Sequence, residues 1–154
     1  MLCSASPEAV DAAAAVGDAL RVAPDEALVL GPVGTAEALT AVVTERAAAL
    51  DDDAVVLDAT DGWAIWTLEG DAARAGFTYL SALELPDEGF VQGDVAHVHA
   101  KAIVRGDRLH LLVPAMWGAH LRERILSDCA PLGVRERADP QSWLAARRPR
   151  GVRP

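Results

Sequence analysis

The period of the apolar positions changes along the chain, and the changes mark its elements. Residues 26–30, EALVL, form a short apolar run closed by Gly31-Pro32, which predicts a strand. In TAEALTAVVTERAAAL, Thr35 stands where an N-cap belongs, and Leu39, Val42, Val43 and Leu50 recur at roughly helical spacing, so a helix is expected over 36–49. Asp51-Asp52-Asp53 ends it as a polar turn, since three consecutive acids lack the alternating spacing and distal Glu of a calcium loop. AVVLDAT (54–60) and GWAIWTLEG (62–70) read as two strands joined in a hairpin at Thr60-Asp61-Gly62. After Gly70, Ala73, Phe77, Leu80 and Leu83 return to helical spacing, with Asp71 near the N-terminus where the dipole favours an anion. Residues 84–94, rich in Pro, Asp, Glu and Gly, read as a loop.

The clearest pattern is VAHVHAKAIVRGDRLHLLVP, a hairpin turning at Gly106-Asp107 that sets Val104 opposite Leu109 and Ala102 opposite Leu111. One face is then Val98, Ala100, Ala102, Val104, Leu109, Leu111 and Val113, uniformly apolar and facing the core. The other carries His97, His99, Lys101, Ile103, Arg105, Arg108, His110 and Leu112. Pro114 ends the strand, and a last helix follows with Met116, Trp117, Leu121, Ile125 and Leu126 inward. Residues 1–20 read as an alanine-rich leader with a helix starting at Pro7. Strands and helices in short alternation imply an α+β fold, a single domain whose antiparallel or mixed sheet is covered by helices. The leader is 1–20, the domain 21–130 and an Arg-rich tail 131–154.

Composition narrows the class. With 154 residues and 51% apolar side chains the chain can bury a core without disulfides or metal, and it is not disordered. No apolar run approaches the ~20 residues of a membrane span, so no membrane partner is expected. The first 25 residues carry four acids and only Arg21, unlike a secretory signal. Cys3 and Cys129 imply no disulfide framework. A soluble cytoplasmic protein is expected. Residues 1–133 carry a net charge of −13 and residues 134–154 one of +4, within a total of −9. The acidic body repels phosphate backbones, which excludes nucleic acid as a partner. The tail RRPRGVRP suits a solvated terminus or an anionic partner surface.

Candidate chemistry concentrates on the polar face of the hairpin: His97, His99, Lys101, Arg105, Arg108 and His110, a possible ligand or partner face. His97 and His99, two apart on a strand, project to one side about 7 Å apart, and a metal would need a third ligand. His110, opposite Ile103, lies roughly 13 Å from His99, so no metal site is assigned. No catalytic residue is assigned either: GxSxG, GxGxxG and P-loop spacings are absent. Asp58 and Asp61 read as turn caps, and Trp63 and Trp66 point to opposite faces of their strand.

The stretch 54–113 resembles the folate-binding superfamily of the glycine cleavage T-protein, through Asp58, Thr60, Gly70, Asp71, Ala72, Leu80, Leu83, Phe90 and Gly93. It is most similar to the gamma subunit family of heterotetrameric sarcosine oxidase. That family shares the early strand DEALVLGP (Asp25 to Pro32), the DGW turn (Asp61 to Trp63) and LLVP before an aromatic-containing helix (Leu111 to Trp117). The likeness covers about residues 22–128 and implies the folate-binding α+β fold. The T-protein's key acid would fall in HVHAKAIV, which has none, so no catalytic residue carries over. The resemblance implies an accessory, non-catalytic subunit packed on larger flavoprotein subunits that carry FAD, FMN and NAD. In such a complex sarcosine is oxidatively demethylated and its one-carbon unit passes to tetrahydrofolate. Three alternatives stay open: a free-standing, aminomethyltransferase-like folate binder whose Lys101, Arg105, Arg108 and histidines pair with the glutamate tail, a homo-oligomeric interaction module, and a metal-dependent enzyme using His97 and His99.

Overall fold

The structure, a computed structural model that describes residues 1–137, builds the expected leader into a sheet. Strand β1 (Leu2–Ser4) is central, antiparallel to β3 (Glu26–Leu30) on one side and to β4 (Val55–Leu57) on the other; β2 (Asp18–Ala23) completes the order β2-β3-β1-β4. Helices α1 (Pro7–Ala14) and α2 (Ala36–Ala48) cover one face. Its core joins Met1, Cys3, Ala9, Ala13, Val29, Val43 and Ala47, with Leu39 and Val56 packed against it. Helix α1 begins at Pro7, as the sequence predicts, because proline's fixed φ suits the first turn. The amino group of Met1 is drawn into this unit and donates to the Val29 carbonyl (3.1 Å), and burial lowers its pKa against the opposing pull of Asp58. The unit comprises residues 1–60.

Three expectations fail here for local reasons. Residues 54–60 and 62–70 form no hairpin: β4 pairs with β1, and Thr60–Gly62 is a 3-10 turn. Gly62 does not take the positive φ that a tight primed hairpin turn requires. The Thr35 hydroxyl donates to the Pro32 carbonyl (2.7 Å) instead of capping α2. The inward stripe of α2 is half-buried Leu39 with buried Val43 and Ala47, while Val42 and Leu50 face outward. The helix starts close to the preceding loop: a Cβ on Gly31 would stand 2.7 Å from Leu39 Cδ2, so only glycine fits without displacing that side chain.

The second unit begins at Asp61. It contains β5 (Trp63–Glu69), α3 (Ala73–Leu80), β6 (Gly89–Val95), β7 (Val98–Arg105), β8 (Arg108–Pro114) and α4 (Gly118–Asp128). The predicted β7–β8 hairpin is present in the predicted register, Val104 opposite Leu109 and Ala102 opposite Leu111, with Gly106 at φ 60° in the turn. Strands β5 and β6 flank it in an antiparallel sheet ordered β5-β8-β7-β6. The apolar face named from sequence packs with Phe77 and Leu80 of α3 and Leu121 and Ile125 of α4. A Cβ on Gly118 would lie 2.8 Å from that of Ala64, which lets α4 start flush against β5. Trp66 is inward and donates from Nε1 to the Gly118 carbonyl (2.9 Å).

Residues 84–94, expected as loop, yield most of β6: Phe90, Val91 and Val95 supply strand side chains between turn-like glycines. Met116 and Trp117 are not inward. They occupy a 3-10 turn ahead of α4 and are exposed, Met116 at 80%. The class is α+β as predicted, with four helices among the described residues, and the strands expected in one sheet fall into two. No described helix is long and apolar enough to cross a membrane. Of the tail, residues 138–154 lie outside the described part.

Candidate functional site

The face of the second sheet turned away from the helices carries most of the sequence-predicted site. Strand alternation places His99, Lys101, Ile103 and Arg105 of β7 beside Arg108, His110 and Leu112 of β8, with Trp63, Ile65, Thr67 and Glu69 of β5 alongside. The centre of this face is withdrawn from water: Lys101 and Leu112 are buried, and Ile103 and His110 fully so. Lys101 Nζ sits 4.7 Å from the Trp63 ring centroid, a cation–π contact. His110 Nδ1 is 2.9 Å from the Thr67 hydroxyl on the neighbouring strand.

The two arginines at the hairpin end are half-buried and engaged. Arg108 Nε lies 2.9 Å from Glu69, which also meets Arg137 at 2.9 Å. Arg105 donates to the Val104 carbonyl (3.0 Å) and stands 3.9 Å from Glu88. On this face Lys101, Arg105, Arg108 and His110 are thus already occupied by ring, carboxylate and hydroxyl partners, and His99 alone of the five predicted residues it carries is exposed.

His97 is not on this face. It shares the two-residue β6–β7 turn with Ala96, and both have positive φ, 66° and 51°. The alternation that puts His97 beside His99 breaks there, so the pair does not form a two-histidine strand site. The residue sequence reasoning missed is His120 of α4, whose Nε2 donates to the Ala96 carbonyl (3.0 Å) while its ring meets Trp117 edge-on at 5.8 Å. The Ala96 amide donates to the Leu80 carbonyl (2.6 Å), so the turn is held from α3 and α4 together. Nothing in the sequence near His120 signals a partner 24 residues earlier. Among the described residues, no three His, Cys, Asp or Glu side chains group as metal ligands.

Other polar groups do structural work. Asp58 accepts from the amide (2.9 Å) and hydroxyl (2.5 Å) of Thr60, the capping role expected of it, and these bonds lower its pKa. Burial pushes the Cys3 and Cys129 thiols up, away from the reactive thiolate. An open groove of about 620 Å³ is lined by Arg74, Phe77, Thr78 and residues 81–85. Its Arg74 guanidinium is spent on the carbonyls of Pro86 (2.7 Å) and Asp87 (3.2 Å).

No protein-family model and no curated protein matches the chain. Among solved structures it is similar to a chain of the heterotetrameric sarcosine oxidase from Corynebacterium sp. U-96, determined in complex with pyrrole 2-carboxylate. The two are 19% identical, the match covers 89% of this chain and 82% of that one, and the TM-score is 0.69. At this identity the likeness shows a shared fold.

Proposed function

We propose that this chain is the small accessory subunit of a heterotetrameric sarcosine oxidase-like complex, non-catalytic in itself and packed against larger flavoprotein subunits in the cytoplasm. The observation that carries the reading is the extent of the fold match: nearly the whole of this chain corresponds to nearly the whole of one chain of a multisubunit oxidase. The similar coverage on both sides makes the matched chain close to this one in length, which suits a small subunit. The site geometry supports an accessory role. Lys101, Arg105, Arg108 and His110 are committed to contacts within the chain, and exposed Met116 and Trp117 suit a protein surface better than a small-molecule pocket. On this reading FAD, FMN and NAD belong to the partner chains, which oxidise sarcosine and pass its one-carbon unit to tetrahydrofolate.

The test is co-purification from the native host with a tag placed after Pro154, because the Met1 amino group is buried and hydrogen-bonded. The expected result is a stoichiometric larger chain with flavin absorbance. A colourless monomer or homodimer with no partner at mild salt overturns the reading.

A further inference from the structure

The edge of the first sheet is unusual in what it leaves in water. Strand β4 is only Val55-Val56-Leu57, and among the described residues it pairs with β1 alone. Val56 turns into the core, while Val55 and Leu57, on the other side of the strand, are 50% and 54% exposed. An open strand edge with apolar side chains is a template for another strand, and proteins ordinarily blunt such edges with charge. Here the charge stands at the ends and has one sign: Asp51, Asp52 and Asp53 precede the strand, and Asp58 and Asp61 follow it. The surrounding unit is as one-sided, with 11 acids against Arg21 and Arg46 in residues 1–60, and Arg21 is paired with Asp11.

That arrangement selects its occupant. A second copy docked antiparallel along β4 would set Asp51–Asp53 of one chain against Asp58 of the other, like charge upon like at both ends. A strand with apolar residues at alternate positions and Lys or Arg at both ends meets the same edge with complementary charge. We infer that β4 is a strand-addition site for an extended, basic-flanked segment of another protein. The inference stands on β4 and its acids and not on the subunit reading, so either can fail without the other.

The test uses the full chain, isotope-labelled, at low salt, with the synthetic peptides KRVTVRK and EDVTVDE as probes. KRVTVRK is expected to shift the amide signals of Val55, Val56 and Leu57, with EDVTVDE silent. Asp52→Lys combined with Asp53→Lys, at exposed positions, is expected to weaken KRVTVRK about tenfold, and Leu57→Lys to abolish its binding, with the rest of the amide spectrum unchanged. No shift at β4, equal shifts with both peptides, or shifts scattered over the acidic surface overturns the inference. So does a concentration-dependent dimer that Leu57→Lys disrupts.

Discussion

The two sheets have the same number of strands and are built from different materials. All seven aromatic side chains of the sequence follow residue 60, so the first unit folds without any. Its core is largely alanine, valine and one cysteine, whereas the second buries Phe77 and packs Trp66 against leucines and valines from four strands and two helices. An aromatic buries roughly 150–250 Å² and dominates the energetics of a small core. The first unit also concentrates the charge: residues 1–60 carry a net −9, equal to that of the whole chain. Small core and self-repulsion act in the same direction, making the first unit the weaker one.

The largest effect that tests this contrast is in the second core. Phe77→Ala is expected to cost about 4 kcal/mol, against about 2 kcal/mol for Val29→Ala at the equally buried centre of the first. Urea unfolding read by tryptophan fluorescence, to which residues 1–60 contribute nothing, and by far-ultraviolet circular dichroism checks both variants. The dichroism transition of the native chain is expected to start at lower urea than the fluorescence one. Coincident transitions, or equal costs for the two substitutions, would remove the contrast.

The same contrast governs what the sequence makes legible. The β7–β8 hairpin could be read to the residue pair because its register is local: a two-residue turn and period-two alternation fix every partner. The first sheet is not local. Its central strand is three residues, LCS, with no alternation to detect, and its neighbours lie more than 20 residues away in the sequence. Apart from His97, the polar face of the hairpin is legible as a set of residues, but its burial is not, because alternation tells which side a residue takes and not whether that side meets water. The β6–β7 turn escaped because Ala96 and His97 lack the Asn-Gly chemistry that announces such turns.

That turn supplies two smaller tests within the second unit. His120→Ala removes the donor to the carbonyl of buried Ala96 and is expected to cost about 1–2 kcal/mol, with loss of the Trp117 ring contact visible in fluorescence. An unchanged melting temperature would show that the turn holds without α4. His97→Gly is expected to stabilise by about 1 kcal/mol, since glycine takes positive φ without the clash that an L side chain brings. Thermal unfolding that is unchanged or earlier in this variant would mean that the turn stores no strain.

The smallest effect returns to the acidic unit and depends on pH. Asp51 is one of its many acids, yet it joins the segment before α1 to the turn after α2. Its Oδ2 accepts from the Ser6 amide at 2.5 Å and its Oδ1 from the Asp53 amide at 3.0 Å. The Ser6 bond first, and the Asp53 bond second, hold its carboxyl below the ordinary carboxylate value of about 3.9. The folded protein therefore binds the Asp51 proton less readily than the unfolded chain does. The stabilisation is complete above the unfolded value and is lost as pH falls through it toward the lower folded one. Asp51→Asn keeps the shape and removes the charge. The melting temperature of the variant is expected to lie below that of the native chain at pH 7, with the gap closing as the pH falls below the ordinary carboxylate value of about 3.9. A gap that stays constant as the pH falls would mean that the carboxylate's charge contributes nothing, and that in this unit self-repulsion cancels the benefit of its two hydrogen bonds.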